Sequence, residues 1–281
     1  MADLEQDPND PTPELRSAAS KAYDLIVADL LSGRLAPTED NPASEVMVQE
    51  RFGLGSRMPV RMALAVLSAE GLIAQRARHG FWVAEVNEDD IRHIAPLRAQ
   101  GDGIVAVALR ARLAEPSADR DALTDRLDGY LGHMRDIGST VPYKFKSAQD
   151  FADADTKFHT AIALTSGYRR GARLIVEWRN LLRLYRTIHG RTYGGSDIEE
   201  IGQEHEQIRD SIVGADADIP DIERAVITHV ANSIQRCGIE SAFAIQERAP
   251  GGIVWAPRIS SGTVIRESVH MHEAEDRAVP M

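Results

Sequence analysis

The chain has 281 residues, 43% of them hydrophobic, with a formal net charge of −11 and a pI near 5.3. That length suffices for two hydrophobic cores at about 100 to 200 residues each, and the acidity argues against any protein that coats nucleic acid through bulk charge. Cys237 has no second cysteine to bridge, no signal-peptide pattern opens the chain, and no apolar run approaches the roughly 20 residues of a membrane span, so a reducing cytoplasm is the expected address.

In chain order, residues 1–13, rich in Asp, Pro and Glu, read as a flexible arm. Residues 43–83 then give two short helical patterns, a glycine-bearing turn and a basic hairpin, the order of a winged helix-turn-helix. Between Arg51 and Val83 the ionised groups are Arg51, Arg57, Arg61, Arg76 and Arg78 against Glu70 alone. Attraction to phosphate is screened over about 10 Å at moderate salt, so this local positive island outweighs the acidity of the whole chain. Val60, Ala63, Leu64 and Leu67 recur at intervals of three and four, which predicts a helix over 57–70 that buries one stripe and turns Arg57 and Arg61 to another. Ser56 is the expected N-cap, Pro59 fits the first turn, and Gly71 stands where a left-handed stop belongs. An ordinary amphipathic surface helix would share this spacing, but the basic hairpin that follows favours DNA.

The segments LIVADLLSGRL, SRMPVRMAL, LSAEGLI and RHGFWV, in that order, resemble the GntR family of bacterial transcription regulators, whose pattern runs through S-R-x-P-V-R-x-A-L, an E-G-L turn and a G-x-x-V wing. The resemblance covers about residues 14–84 and implies a DNA-binding domain there. It implies that Arg57 and Arg61, beside Ser56, contact DNA from the recognition helix, and that His79 and Gly80 form the wing tip at the minor groove. Two departures stand out. The turn Gly53-Leu54-Gly55 is one residue longer than usual, and Val46 or Met47 stands where some members carry a further arginine.

Residues 85–92, acidic at Glu85, Glu88, Asp89 and Asp90, are the expected hinge. Helical periodicity then predicts six helices near 88–114, 118–137, 147–166, 169–188, 197–213 and 221–246, an all-helical antiparallel bundle spanning residues 93–248. The fold class expected is therefore mainly α, a winged helix-turn-helix followed by that bundle. Residues 249–281 are a separate extension with alternating patterns at Ile253–Trp255 and Thr263–Ile265, either a hairpin or a loose tail. Its pair His270 and His272 is read as solvated.

Asp155 and His159 lie four apart and share a helical face, and His205 and His229 fall on later helices of the same bundle. A shared core position would join three imidazoles and a carboxylate into a metal site, though each histidine could equally be an isolated, hydrogen-bonded residue. DTKFH, EHEQI and AVITHV in this spacing resemble the FCD ligand domain of the FadR-like GntR branch. That resemblance implies that Asp155, His159, His205 and His229 hold a divalent ion beneath a pocket for a small organic acid. Imidazole and carboxylate ligands fit Zn, Ni, Mn or Fe, and affinity order alone does not choose among them; Zn or Ni is the expectation. Arg98 is the candidate carboxylate anchor, because a guanidinium donates two parallel charge-assisted bonds, though it could instead pair with Asp102 on the surface. Asp102 stands four residues on, where the family segment R-x-x-x-E has Glu, and Gly101 and Gly103 flank it either for close packing or for ligand room. Tyr168 replaces a common Asn at the next helix connection, and some of Trp178, Arg179, Arg183, Tyr185 and Arg186 are expected at the pocket.

The expected protein is thus a homodimeric regulator of double-stranded operator DNA whose affinity is set by a small carboxylate near a metal. A metal-responsive regulator without an acid is one rival. A metal-dependent enzyme is the other, with Glu204 as base, but residue 204 points about 100° away from residue 205 on a helix.

Overall fold

A computed structural model describes residues 18–115, 119–138, 145–191, 193, 195–214, 218–240, 243–248 and 252–257. The expected arm 1–13, the Thr263–Ile265 pattern and the His270/His272 pair lie outside the described residues. None of the described helices is long and apolar enough to cross a membrane.

The amino-terminal unit is built from α1 (Ala18–Leu31), α2 (Glu45–Arg51), α3 (Arg57–Ala69), β1 (Ile73–Arg76) and β2 (Gly80–Val83). Helix α1 buries Ala22, Ile26 and Leu30, one side chain per turn, and α3 buries Val60, Ala63, Leu64 and Leu67 against it, the stripe expected from spacing. The buried carboxylate of Asp29 is taken up by Arg34 at 2.8 Å and by two nitrogens of Arg51 at 2.9 and 2.7 Å. Ser44 caps α2 through its side chain. Ser56 holds the extended N-cap conformation before α3, but its hydroxyl makes no capping bond, so that oxygen is not spent on the helix. Strands β1 and β2 pair antiparallel with Ile73 opposite Val83, and Ala43 adds a short bridge to Phe81. Gly80 (φ +89°) is the residue this arrangement needs, since a Cβ there would lie 2.2 Å from the Ala43 carbonyl oxygen.

Helices α4 (Glu88–Leu113), α5 (Arg120–Gly138), α6 (Phe145–Thr165), α7 (Arg169–Ile188), α8 (Gly195–Val213) and α9 (Ile219–Gln235) form the second unit. Asn87 and Asp90 cap α4 reciprocally, so of the expected hinge 85–92 only residues 85–87 lie between elements, and Val86 is buried. The helix expected over 221–246 ends at Gln235, and Phe243–Arg248 is instead β3, paired antiparallel with β4 (Gly252–Pro257). Cys237-Gly238 explains the stop: Gly238 sits at φ +75°, a conformation that ends a helix readily. Ile253–Trp255 therefore belongs to a hairpin whose other strand precedes it rather than follows it.

Helix α4 packs against α6, α7, α8 and α9 and is the axis of the bundle. Gly101 permits this closeness, because a Cβ there would stand 2.9 Å from the Trp178 ring, whereas Gly103 faces open space. One apolar cluster fills the bundle interior around Leu109, Leu127, Phe158 and Ile208. The other runs without interruption from Ile26, Leu67 and Phe81 of the winged helix into Ile91 and Ala95 of α4, Leu184 and Tyr185 of α7, and Val230 and Ile234 of α9. The two units thus share a core at their junction. Polar bonds reinforce it: Thr187 Oγ1 donates to the Leu31 carbonyl at 2.7 Å, Gln149 Nε2 donates to the Ala28 carbonyl at 3.1 Å, and a ring nitrogen of His189 lies 3.3 Å from the Val86 carbonyl.

Candidate functional site

The amino-terminal unit exposes Ser56, Arg57 and Arg61 at the start of α3, and His79 at the turn between the strands. Arg61 is not loose: its Nε and Nη2 each donate at 3.0 Å to the two carboxylate oxygens of Glu45 on α2. This fork fixes the guanidinium plane and raises the Arg61 pKa through the bonds to Glu45. Sequence reasoning missed Glu45, whose position one residue after the α2 cap was the available signal. At the wing, a ring nitrogen of His79 lies 3.1 Å from the Ala77 carbonyl and Arg78 adopts φ 65°, so the tip is a tight three-residue turn. Arg76 pairs with Glu39 at 2.9 Å and lies over the Trp82 ring.

In the bundle, α6 supplies Asp155 and His159, α8 supplies His205, and α9 supplies His229. One ligating atom from each of the four lies within 4.8 Å of all the others. His159, His205 and His229 are buried, and Nε2 of His205 lies 2.9 Å from Oδ1 of Asp155 and 3.0 Å from Nε2 of His159. The four residues picked out along the sequence therefore meet in one place, and none is an isolated core histidine.

The ring of His229 is held from behind. Nδ1 of His229 donates at 2.9 Å to Glu204, whose other oxygen is held by Asn232 at 2.7 Å and by Arg236 at 2.6 Å. Burial would lift the Glu204 carboxyl, but bonds from His229 and Arg236 more than offset this and hold it at about 2. An ionised Glu204 accepts the Nδ1 proton, which leaves the lone pair of Nε2 facing the cluster. Burial, then the neighbouring His205, pushes His229 down to about 3, and burial with Arg179 pushes His159 well below its ordinary value. Both rings are neutral at physiological pH. Asp155 is opposed by burial but drawn well below the usual carboxylate range by Arg179 and the bond to His205. Three imidazoles, those of His159 and His229 neutral, and an ionised carboxylate are a donor set that fits a divalent cation. The buried Nδ1 of His205 has no hydrogen-bond partner within the protein.

Arg98 and Asp102 are both 3% exposed and lie against this cluster. Asp102 Oδ2 is 3.5 Å from Nδ1 of His159, behind the ring, as Glu204 is behind His229. Burial raises the Asp102 carboxyl, opposed by an ion pair in which Nε of Arg98 lies 3.4 Å from its Oδ2, so these two residues pair inside the bundle rather than on its surface. Nη2 of Arg98 lies 3.5 Å from Nε2 of His229, on the side where the lone pairs converge.

A narrow cavity opens beside Asp155 and His229, lined by Arg179, Arg183, Arg186 and Tyr193 among others. Arg179 bonds the outer oxygen of Asp155, while its Nε and Nη2 have no partner within the protein. Burial lowers Arg179 to about 10, which keeps it charged. The α7 arginines thus line the cavity, whereas Trp178 packs on Gly101 and Tyr185 joins the shared core.

Comparison with known proteins follows the same division. Residues 18–83 match the family described as bacterial regulatory proteins, gntR family, and residues 105–232 match the FCD domain. A curated relative from Paenarthrobacter nicotinovorans, named "Probable D-xylose utilization operon transcriptional repressor", is 26% identical over 76% of this chain and 86% of its own. The transcriptional repressor RspR of Escherichia coli K12 is 26% identical over 74% of this chain and 83% of its own. Among solved structures, E. coli McbR/YncC superposes with a TM-score of 0.64 at 16% identity, covering 79% of this chain and 97% of that one. A GntR regulator from Rhodococcus sp. RHA1 gives 0.58 at 17%, covering 78% and 96%. These relatives are transcriptional regulators rather than enzymes. The chain belongs to the gntR family of bacterial transcription regulators, with a winged helix that binds DNA followed by an FCD effector-binding domain.

Proposed function

We propose that this regulator works as a homodimer on a two-fold operator, and that its affinity for DNA is set by a small organic acid bound beside a divalent ion held by Asp155, His159, His205 and His229. The observation that carries this reading is the convergence of those four ligating atoms within 4.8 Å, with the Arg98 guanidinium turned to the same point. The ion, Zn or Ni before Mn or Fe, would supply a positive centre for a carboxylate. The chain's own residues do the remaining work. Glu204 and Asp102 orient His229 and His159, Arg98 offers donors to the acid, and Arg179 holds Asp155 in place.

An acid shifts DNA affinity only by binding one arrangement of the two units better than another. The shared core and the bond from Thr187 to Leu31 are the contacts through which that preference reaches the winged helix. Arg57 and Arg61 on α3, Ser56 just before it and His79 at the wing are the DNA-contacting set. Gly80 serves by shaping the turn.

The test is a titration of a fluorescent operator, selected from random duplexes, with added chelator, metals, and a panel of hydroxy, keto and sugar acids. The panel includes D-xylose and its acids because one relative is named for D-xylose utilization. An acid that changes affinity only in the metal-loaded protein supports the proposal. Release by chelator and restoration by metal alone, with every acid inert, would replace it with a metal sensor.

A further inference from the structure

The recognition helix exposes an apolar line as well as its arginines. Met58 and Met62 are 60% and 54% exposed, and Val66 continues the line at 37%. Residues four apart on a helix share a face, so this line runs beside that of Arg57 and Arg61, about 100° around the axis. The opposite face, Val60, Ala63, Leu64 and Leu67, is committed to the core, so the methionines cannot turn inward. Both lie in the first two turns of α3, the end that a helix-turn-helix inserts into the major groove. Their surroundings select duplex DNA as the occupant: Arg57 and Arg61 are exposed on the adjacent side of the same helix, Arg76 and Arg78 are exposed on the wing of the same unit, and the acids Glu45 and Glu39 are paired with Arg61 and Arg76.

Only thymine presents an apolar group, its C5-methyl, on the floor of the major groove. We propose that Met58 and Met62 are specificity-determining residues that read thymine, packing their flexible thioether chains on C5-methyl groups in each half-site beside the groups engaged by the arginines. Arginine and serine donors cannot detect a methyl. The two methionines therefore add a preference that the arginines do not carry. This inference rests on the DNA-binding unit alone and is independent of metal and acid.

The test uses the full chain. An operator is selected from random duplexes, and its thymines are replaced one at a time by deoxyuridine, which removes the methyl and keeps every hydrogen-bonding group. At one or two positions per half-site the replacement should weaken wild-type binding about fourfold, the worth of one buried methyl. The same replacement should cost Met58→Ala or Met62→Ala nothing at the matching position. Both side chains are exposed and alanine favours helix, so thermal midpoints of these variants should equal that of the wild type. Uniform tolerance of deoxyuridine by the wild type would overturn the proposal, as would equal sensitivity in wild type and both variants.

Discussion

The Glu204 carboxylate accepts the Nδ1 proton of His229 at 2.9 Å, and this single bond decides which nitrogen of the ring faces the cluster. Removing the charge without removing the shape tests it. Glu204→Gln should weaken metal binding about tenfold to a hundredfold, the range seen when the partner behind a ligating histidine is lost. Competition against a chromophoric chelator measures this directly. Unchanged affinity would mean that His229 is oriented by packing alone.

Metal removal should also cost stability, because the four ligating groups span α6, α8 and α9. A ligand present at about 100 times its dissociation constant adds about 2.7 kcal/mol to the fold that binds it. For a chain of this size that is a drop of about 5 to 10 °C in thermal midpoint on chelation. His205→Ala, at a side chain with no solvent exposure, should abolish the difference between metal-loaded and chelated protein. A midpoint that ignores chelator in the wild type would argue against an ion at this position.

Much of this was legible in the sequence, and the reasons differ by element. The α3 stripe and the stop at Gly71 follow from local periodicity and backbone rules, so the helix expected over 57–70 agrees closely with Arg57–Ala69. Asp155 and His159 could be placed on one face by spacing, but bringing His205 and His229 to them needed the family pattern, because helix-to-helix register is a tertiary property. The role of Glu204 behind His229 was not foreseen. Its 100° offset from His205 does keep it out of the cluster, but the same offset aims it at α9, where it holds His229. The end of α9 was missed because Ile239, Ala242 and Phe243 continue the apolar spacing past Gly238, and the shared core was invisible because each unit's pattern is complete by itself.

Thr187 is one residue beyond Arg186, which lines the cavity, and its hydroxyl donates to the Leu31 carbonyl of the winged unit. Thr187→Val keeps the shape and deletes the donor, at a cost of about 1 kcal/mol. If the two units must dock in this arrangement for control, the variant should bind metal normally while its operator affinity responds about fivefold less to chelation or acid. A normal response alongside the stability loss would make this bond structural only.

Gly80 faces a backbone oxygen that cannot move aside, since the bonds between Ala43 and Phe81 at 2.8 and 2.9 Å fix it. Gly80→Ala should therefore distort the wing, costing about 1 to 3 kcal/mol locally. Operator affinity should fall while metal stoichiometry stays at the wild-type value. Wild-type operator affinity in this variant would show that the wing tip is not engaged by DNA.

Arg61 and Glu45 raise the sharper question of what the arginine reads. A guanidinium held by two parallel bonds keeps its remaining donors in a fixed plane, the geometry that a guanine edge requires and a phosphate does not. On this reasoning Arg61→Ala should cost about 1 to 3 kcal/mol on the selected operator and relax its sequence preference at one position per half-site. Helical content and metal content should not change. Arg61→Lys should recover little, because an ammonium cannot make the fork with Glu45 and offers a point charge to the base. Glu45→Gln should fall between the two, since it leaves the guanidinium present but unaligned. The salt dependence separates the alternatives: loss of a phosphate contact lowers the slope of log affinity against log salt by about one and weakens all sequences alike. A lowered slope with unaltered sequence preference in Arg61→Ala would assign this arginine to the backbone, and the clamp from Glu45 would then serve to position charge rather than to read a base.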